Sequence, residues 1–156
     1  MPAAWRIIKE KLAANAFDGE GPRLYGSRWS SPGTPIAFAS ESLSLAILEV
    51  LVHLDKSAPL VNYVVFTVNF SDALVQDLDV AVLPKYWRSF PVPSETQQIG
   101  DSWTTSNSNV LLRVPSVIVP KEYNFLINPM HHEFSKLIIS GPEPLDVDKR
   151  VFGYVK

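Results

Sequence analysis

Apolar and polar positions alternate between two periods along this chain, and the changes of period mark its elements. Residues 4–14 carry Trp5, Ile8 and Leu12 at helical spacing, which predicts an amphipathic helix. The stretch FDGEGPRLYGSRWSSPGTP, 17–35, is dense in turn formers and is expected to wrap across the surface. IAFAS, 36–40, reads as a short strand, and a helix over 42–54 follows, with Ser40 or Ser42 as its N-cap. LVNYVVFTVNF, 60–70, is β-branched and aromatic, the composition of a strand buried on both faces or nearly so. Residues 94–105 read as a helix whose Ser94 and Gln97 resemble a capping box. VLLRVPSVIV, 110–119, is a further strand in which Pro115 argues for an edge or a bulge. FSKLIIS, 134–140, and PLDVDKRVF, 144–152, complete an α+β pattern.

The helix at 42–54 poses the sharpest question. At about 100° per residue, Leu43, Ala46, Ile47, Val50, Leu51 and Leu54 cluster on one side, and Leu45, Leu48 and Val52 take much of the other. Such a helix is expected to be buried. Its polar stripe is narrow: Ser42, Glu49 and His53 fall within roughly 40° of one another. An ionised carboxylate there is costly if unpaired. Glu49 is therefore protonated, paired with a cation, open onto a polar cleft, or placed at the rim of the helix. His53, one turn on, is expected to hydrogen-bond to Glu49 and support it.

Composition narrows the field. With 156 residues, 46% hydrophobic and 19% charged, the chain suits one globular domain over 1–156. Its 14 basic and 16 acidic residues give −2, which offers no electrostatic case for direct nucleic-acid binding. The sequence contains no cysteine, which excludes disulfides and thiolate metal sites. No apolar run reaches membrane-spanning length, and the N-terminus lacks a basic region followed by an apolar core, so a cytoplasmic location is expected. His131 and His132 adjoin Glu133, but no further ligand stands at metal spacing, and no metal site is expected. No P-loop and no Gly-x-Gly-x-x-Gly fingerprint occurs.

A second cluster, RLYGSRWSSPGTP, sets Arg28 among glycines and hydroxyls with Tyr25 and Trp29. Backbone amides of such loops can cradle anions, and a guanidinium suits phosphates. The same features also describe an ordinary loop with a solvated or ion-paired arginine.

Taken together, GSRWSSPGTPIAFASESLSLAILEVLVHL resembles the signature of the RES domain, named for its Arg, Glu and Ser. IGDSW (99–103), VPSVIVPKEYNFLINPMH (114–131) and DVDKRVF (146–152) are similar to later segments of that family, so the likeness spans nearly the whole chain. The resemblance implies a fold similar to ADP-ribosyltransferase toxins, and a toxin that consumes or transfers from NAD, which is substrate and not cofactor. It implies an Xre-type helix-turn-helix antitoxin as partner, to which DNA contact belongs. It assigns Arg28, Glu49 and Ser116 to the family's three named positions, expected to converge on one cleft. Without it, Ser116 is an ordinary strand serine.

Tyr25, Trp29, Phe38 and Trp103 are candidates to sandwich nicotinamide or adenine, with packing as the alternative for the two tryptophans. Asn124 and Asn128 are expected to cap or close a turn. The chain departs from the family at Phe38, where tyrosine is usual, at Ser27 and Ser30, and at His132. The acceptor stays open between water, inorganic phosphate and a protein side chain, with NAD breakdown favoured. The rival reading is a catalytically attenuated module that acts by binding its antitoxin.

Overall fold

A computed structural model describes residues 1–54 and 62–152. Seven strands form one mixed sheet: β1 (Ala3–Lys9), β2 (Ala37–Ser40), β3 (Tyr63–Asn69), β4 (Val75–Asp77), β5 (Leu111–Pro115), β6 (Tyr123–Ile127) and β7 (Ile138–Pro144). Their order is β4-β5-β6-β2-β1-β3-β7, with β4 and β5 parallel and all other neighbours antiparallel. Among the described residues three α-helices accompany them: α1 (Glu20–Tyr25), α2 (Leu43–Val52) and α3 (Ser94–Ser106). The fold is α+β. No described helix is long and apolar enough to cross a membrane.

Strand alternation divides the sheet into two faces. On one, Ala37, Ala39, Leu111, Phe125 and Ile127 join Ala4, Val68 and Phe70 in a buried cluster. On the other, Leu112, Val114 and Leu126 pack with Trp29, Ile36 and Trp103, with Phe38 at their margin.

Several sequence expectations give way here. Residues 4–14 form β1 and a 3-10 turn at Glu10–Asn15 instead of a helix. Trp5, Ile8 and Leu12 keep helical spacing, but pairing with β3 along the whole of β1, from Ala3↔Asn69 to Lys9↔Tyr63, overrides it and makes the strand. In β3 only Val64, Phe66 and Val68 are buried, so one face is covered instead of two; residues 60 and 61 lie outside the described part. β5 is an interior strand. Pro115 is its last residue, beyond the end of the β4 ladder at Asp77↔Arg113, where the missing N–H is not needed.

The capping box at 94–97 is absent. Pro93 precedes the helix, and Gln97 Nε2 donates instead to the Ser27 carbonyl at 3.2 Å. The segment 17–35 does not merely cross the surface, since it contains α1 and buries Trp29 and Ser30. α2 is capped by Ser42, whose Oγ accepts from Leu45 N at 3.0 Å. The helix is not buried all round: Leu45 and Ala46 are buried, but Leu48 and Val52 are 40% and 58% exposed.

Candidate functional site

The site begins with a regularity in three neighbouring strands. On the face beneath α2, β2 passes from Phe38 to Ser40, β6 from Leu126 to Asn124, and β5 from Val114 on to Ser116. Their register, Ser40↔Asn124 and Val114↔Asn124, sets these changes at the same end of the sheet. An apolar floor thus gives way to a polar row, and Glu49 descends onto it from α2.

Glu49 Oε1 accepts two hydrogen bonds, from Ser116 Oγ at 2.9 Å and from Asn124 Nδ2 at 2.7 Å. Both donors are themselves fixed. Ser116 is fully buried, and its Oγ accepts from the backbone amides of Ile118 at 3.0 Å and Val119 at 3.1 Å. Its one hydroxyl proton is thereby committed to the carboxylate. Ser40 Oγ donates to Asn124 Oδ1 at 2.7 Å, which orients the amide with its nitrogen toward Glu49. Among the described residues, Oε2 of Glu49 has no protein partner. Glu49 as a residue is half-buried.

Arg28 does not touch this carboxylate. Its Nη1 donates to the carbonyls of Trp87 at 2.8 Å and Ser89 at 2.9 Å, and its guanidinium lies 4.7 Å over the Phe90 ring. Burial, then the nearby charge of Arg88, holds its pKa below the usual arginine value. The link back to Glu49 is indirect: Arg88 Nε donates to the Val117 carbonyl at 2.8 Å, next to Ser116. Of the three residues expected on one cleft, Glu49 and Ser116 are in direct contact, and Arg28 connects to them only through the segment 87–89.

The loop bearing Arg28 is anchored on α3. Gly100 packs so closely that a Cβ there would sit 1.7 Å from the Trp29 carbonyl oxygen. Asp101 accepts from Ser31 N at 3.0 Å, from Thr34 Oγ1 at 2.9 Å and from Ser31 Oγ. The Gly-Asp pair of IGDSW thus serves to seat the arginine loop.

The aromatic candidates separate. Trp29 and Trp103 belong to the buried cluster, 4% and 5% exposed, so neither ring is free to sandwich a base. Tyr25 is 84% exposed on α1, with no hydrogen bond to Arg28 or Glu49 among the described residues. Phe38 borders the polar row, two residues before Ser40. His53 Nδ1 pairs with Glu49 as expected, through the main-chain carbonyl at 2.9 Å and not through the carboxylate. Asn124 binds Glu49 instead of closing a turn, whereas Asn128 does cap one, accepting from Met130 N at 3.0 Å.

Two other features lie apart. His131, His132 and Glu133 bring their ligand atoms within 4.8 Å of one another. His131 Nδ1 accepts from Glu133 N at 2.9 Å, which leaves Nε2 to donate to the Asn107 carbonyl at 3.0 Å, so both nitrogens are in use. Glu133 pairs with Lys136 at 2.7 Å. A hollow of about 450 Å³ is lined by Glu41, Phe70, Asp72, Asp77, Arg113 and Phe125 among others. By strand alternation, Arg113 and Phe125 face the opposite side of the sheet from Asn124 and Ser116, so this hollow is not the Glu49 site.

The RES domain family profile matches residues 3–148. The chain is 37% identical over 141 residues to Toxin Res of Yersinia enterocolitica, covering 90% of this chain and 92% of that one. It is 36% identical over 132 residues to the Prs ADP-ribosylating toxin of a Sphingobium species, covering 81% and 82%. The fold is similar to that in the crystal structure of the M. tuberculosis MbcT–MbcA toxin–antitoxin complex. The TM-score is 0.74, with 18% identity over 92% of this chain and 84% of that one.

Proposed function

Since this chain belongs to the RES domain family, we propose that it is the toxin of a toxin–antitoxin pair and that it breaks the nicotinamide–ribose bond of NAD. The observation that carries this reading is Glu49 Oε1 held by two donors, with Oε2 unpartnered among the described residues.

The scissile bond joins an anomeric carbon to a cationic leaving group. Its cleavage leaves an oxocarbenium-like ribose and a neutral nicotinamide, so the reaction needs no strong general acid. It needs a fixed negative charge beside the developing cation and a hold on the ribose hydroxyls. A carboxylate whose one oxygen is tethered offers the other for both tasks without reorganising. The same oxygen can take the proton of an attacking water. Arg28, with Nη1 consumed by backbone carbonyls, keeps Nε and Nη2 for the pyrophosphate. Phe38 offers a ring face at the margin of the polar row. The acceptor is water or inorganic phosphate in this reading, and the antitoxin is a helix-turn-helix protein that covers the site.

A second reading is transfer of ADP-ribose to a protein. It is favoured by the name of the Sphingobium relative, an ADP-ribosylating toxin. One experiment separates the two. Purified protein is incubated with NAD, with and without phosphate, and nicotinamide release is followed. Breakdown gives turnover without any protein acceptor, lost in Glu49→Ala and in Arg28→Ala. Absence of turnover until a protein target is added decides for transfer. Absence under both conditions, with a stable antitoxin complex, leaves a binding module.

A further inference from the structure

Arg88 carries no sequence motif, yet the polypeptide around it is arranged by Arg28. The two carbonyls that Arg28 Nη1 grips, those of Trp87 and Ser89, are the ones on either side of Arg88. Arg88 in turn reaches the turn that holds Ser116, through Nε and the Val117 carbonyl at 2.8 Å. Arg28 thus grips the backbone on both sides of Arg88, which ties the two side chains to one short segment, and after burial the charge of Arg88 is what lowers the Arg28 pKa.

Neither arginine has a carboxylate partner among the described residues. Arg23, Arg113 and Arg150 each sit on an acid. Arg6 also lacks a salt bridge, but it is bound inside the fold to the carbonyls of Ala16 and Phe38. Backbone carbonyls orient a cation without neutralising it. Two cations held together by carbonyls repel, and an anion between them removes that cost while supplying acceptors for the N–H groups left over.

We propose that Arg28 and Arg88 form a two-armed clamp for phosphate oxygens. The clamp rests on the NAD reading above and extends it: the anion is either the pyrophosphate of the dinucleotide or a free inorganic phosphate acting as acceptor, which present the same chemistry. Arg88 hangs on the turn that anchors Ser116, and Ser116 anchors Glu49, so the clamp and the carboxylate share one scaffold.

The test uses the full chain carrying Arg88→Gln, with Arg88→Lys beside it. ADP and inorganic phosphate are titrated calorimetrically at two salt concentrations, and nicotinamide release is measured on the same samples. Arg88 is exposed, so the melting temperature should hold. The clamp gives about tenfold weaker anion binding in Arg88→Gln with a flatter salt dependence, partly recovered by lysine, which restores charge without the fork. Weakening in the ADP titration assigns the clamp to the pyrophosphate, and weakening confined to phosphate assigns it to the acceptor. Unchanged affinity for both in Arg88→Gln overturns the proposal, even if NAD is cleaved. Arg88-dependent ADP binding without nicotinamide release leaves the clamp standing and removes the NAD reading.

Discussion

Removing the two donors to Glu49 Oε1, singly and together, tests whether that carboxylate is built to be aimed. Asn124→Ala deletes the 2.7 Å bond and Ser116→Ala the 2.9 Å bond. A hydrogen bond to a charged group contributes about 1.5–3 kcal/mol. About 1.4 kcal/mol is tenfold in rate. Either remaining donor still holds the same oxygen, so each single variant should sit near the low end, about tenfold down in kcat/KM. With both gone, nothing in the described protein fixes the carboxylate. The double variant should fall about a thousandfold, tenfold beyond the product of the singles, a coupling in the usual range for groups sharing one partner. Nicotinamide release is the assay, with thermal melts in parallel. Ser116→Ala also orphans the amides of Ile118 and Val119, which should lower stability by about 1–3 kcal/mol. A folded double variant within threefold of the wild-type rate would refute the reasoning, and a purely multiplicative loss would refute the shared-anchor part of it.

Gly100→Ala should be severely destabilising, by about 4 kcal/mol or more, because its Cβ would overlap the Trp29 carbonyl at 1.7 Å; a melt or a soluble-yield comparison reads this. Asp101→Ala removes the acceptor for Ser31 and Thr34, so it should cost about 1–3 kcal/mol and raise KM for NAD more than it lowers kcat, as expected when a loop that grips the substrate loosens. Phe38→Tyr restores a hydroxyl beside the polar row and should raise the rate of nicotinamide release; an unchanged rate shows that this chain manages without it.

The α+β class was legible in the sequence; that Glu49 and Ser116 belong near one another was legible only through likeness to a family, and their direct hydrogen bond was not. Helix α2 was marked by its period and by Ser42, but its exposed Leu48 and Val52 were not, because apolarity reports burial only when something covers it. β1 was misread because Trp5, Ile8 and Leu12 stand three and four apart, a helical spacing that long-range pairing with β3 overrides. Asn124 was overlooked for a different reason. Asparagine flanking a short apolar run usually closes a turn, and the strand β6 that carries it was not expected from the sequence. The usable signal was phase: AFAS, VPS and NFL each change from apolar to polar on one face at one end. Arg88 left no trace in the sequence, since only the folded chain brings residue 28 to residues 87–89.

The groups around Glu49 come from four separate stretches: the end of β2, α2, the turn after β5 and the start of β6. During synthesis the glutamate leaves the ribosome long before its partners at 116 and 124. A growing chain that stops short of Tyr123 has neither the amide nor the strand that carries it. On the NAD reading proposed above, a frameshift or early stop anywhere before that point should yield an inert fragment.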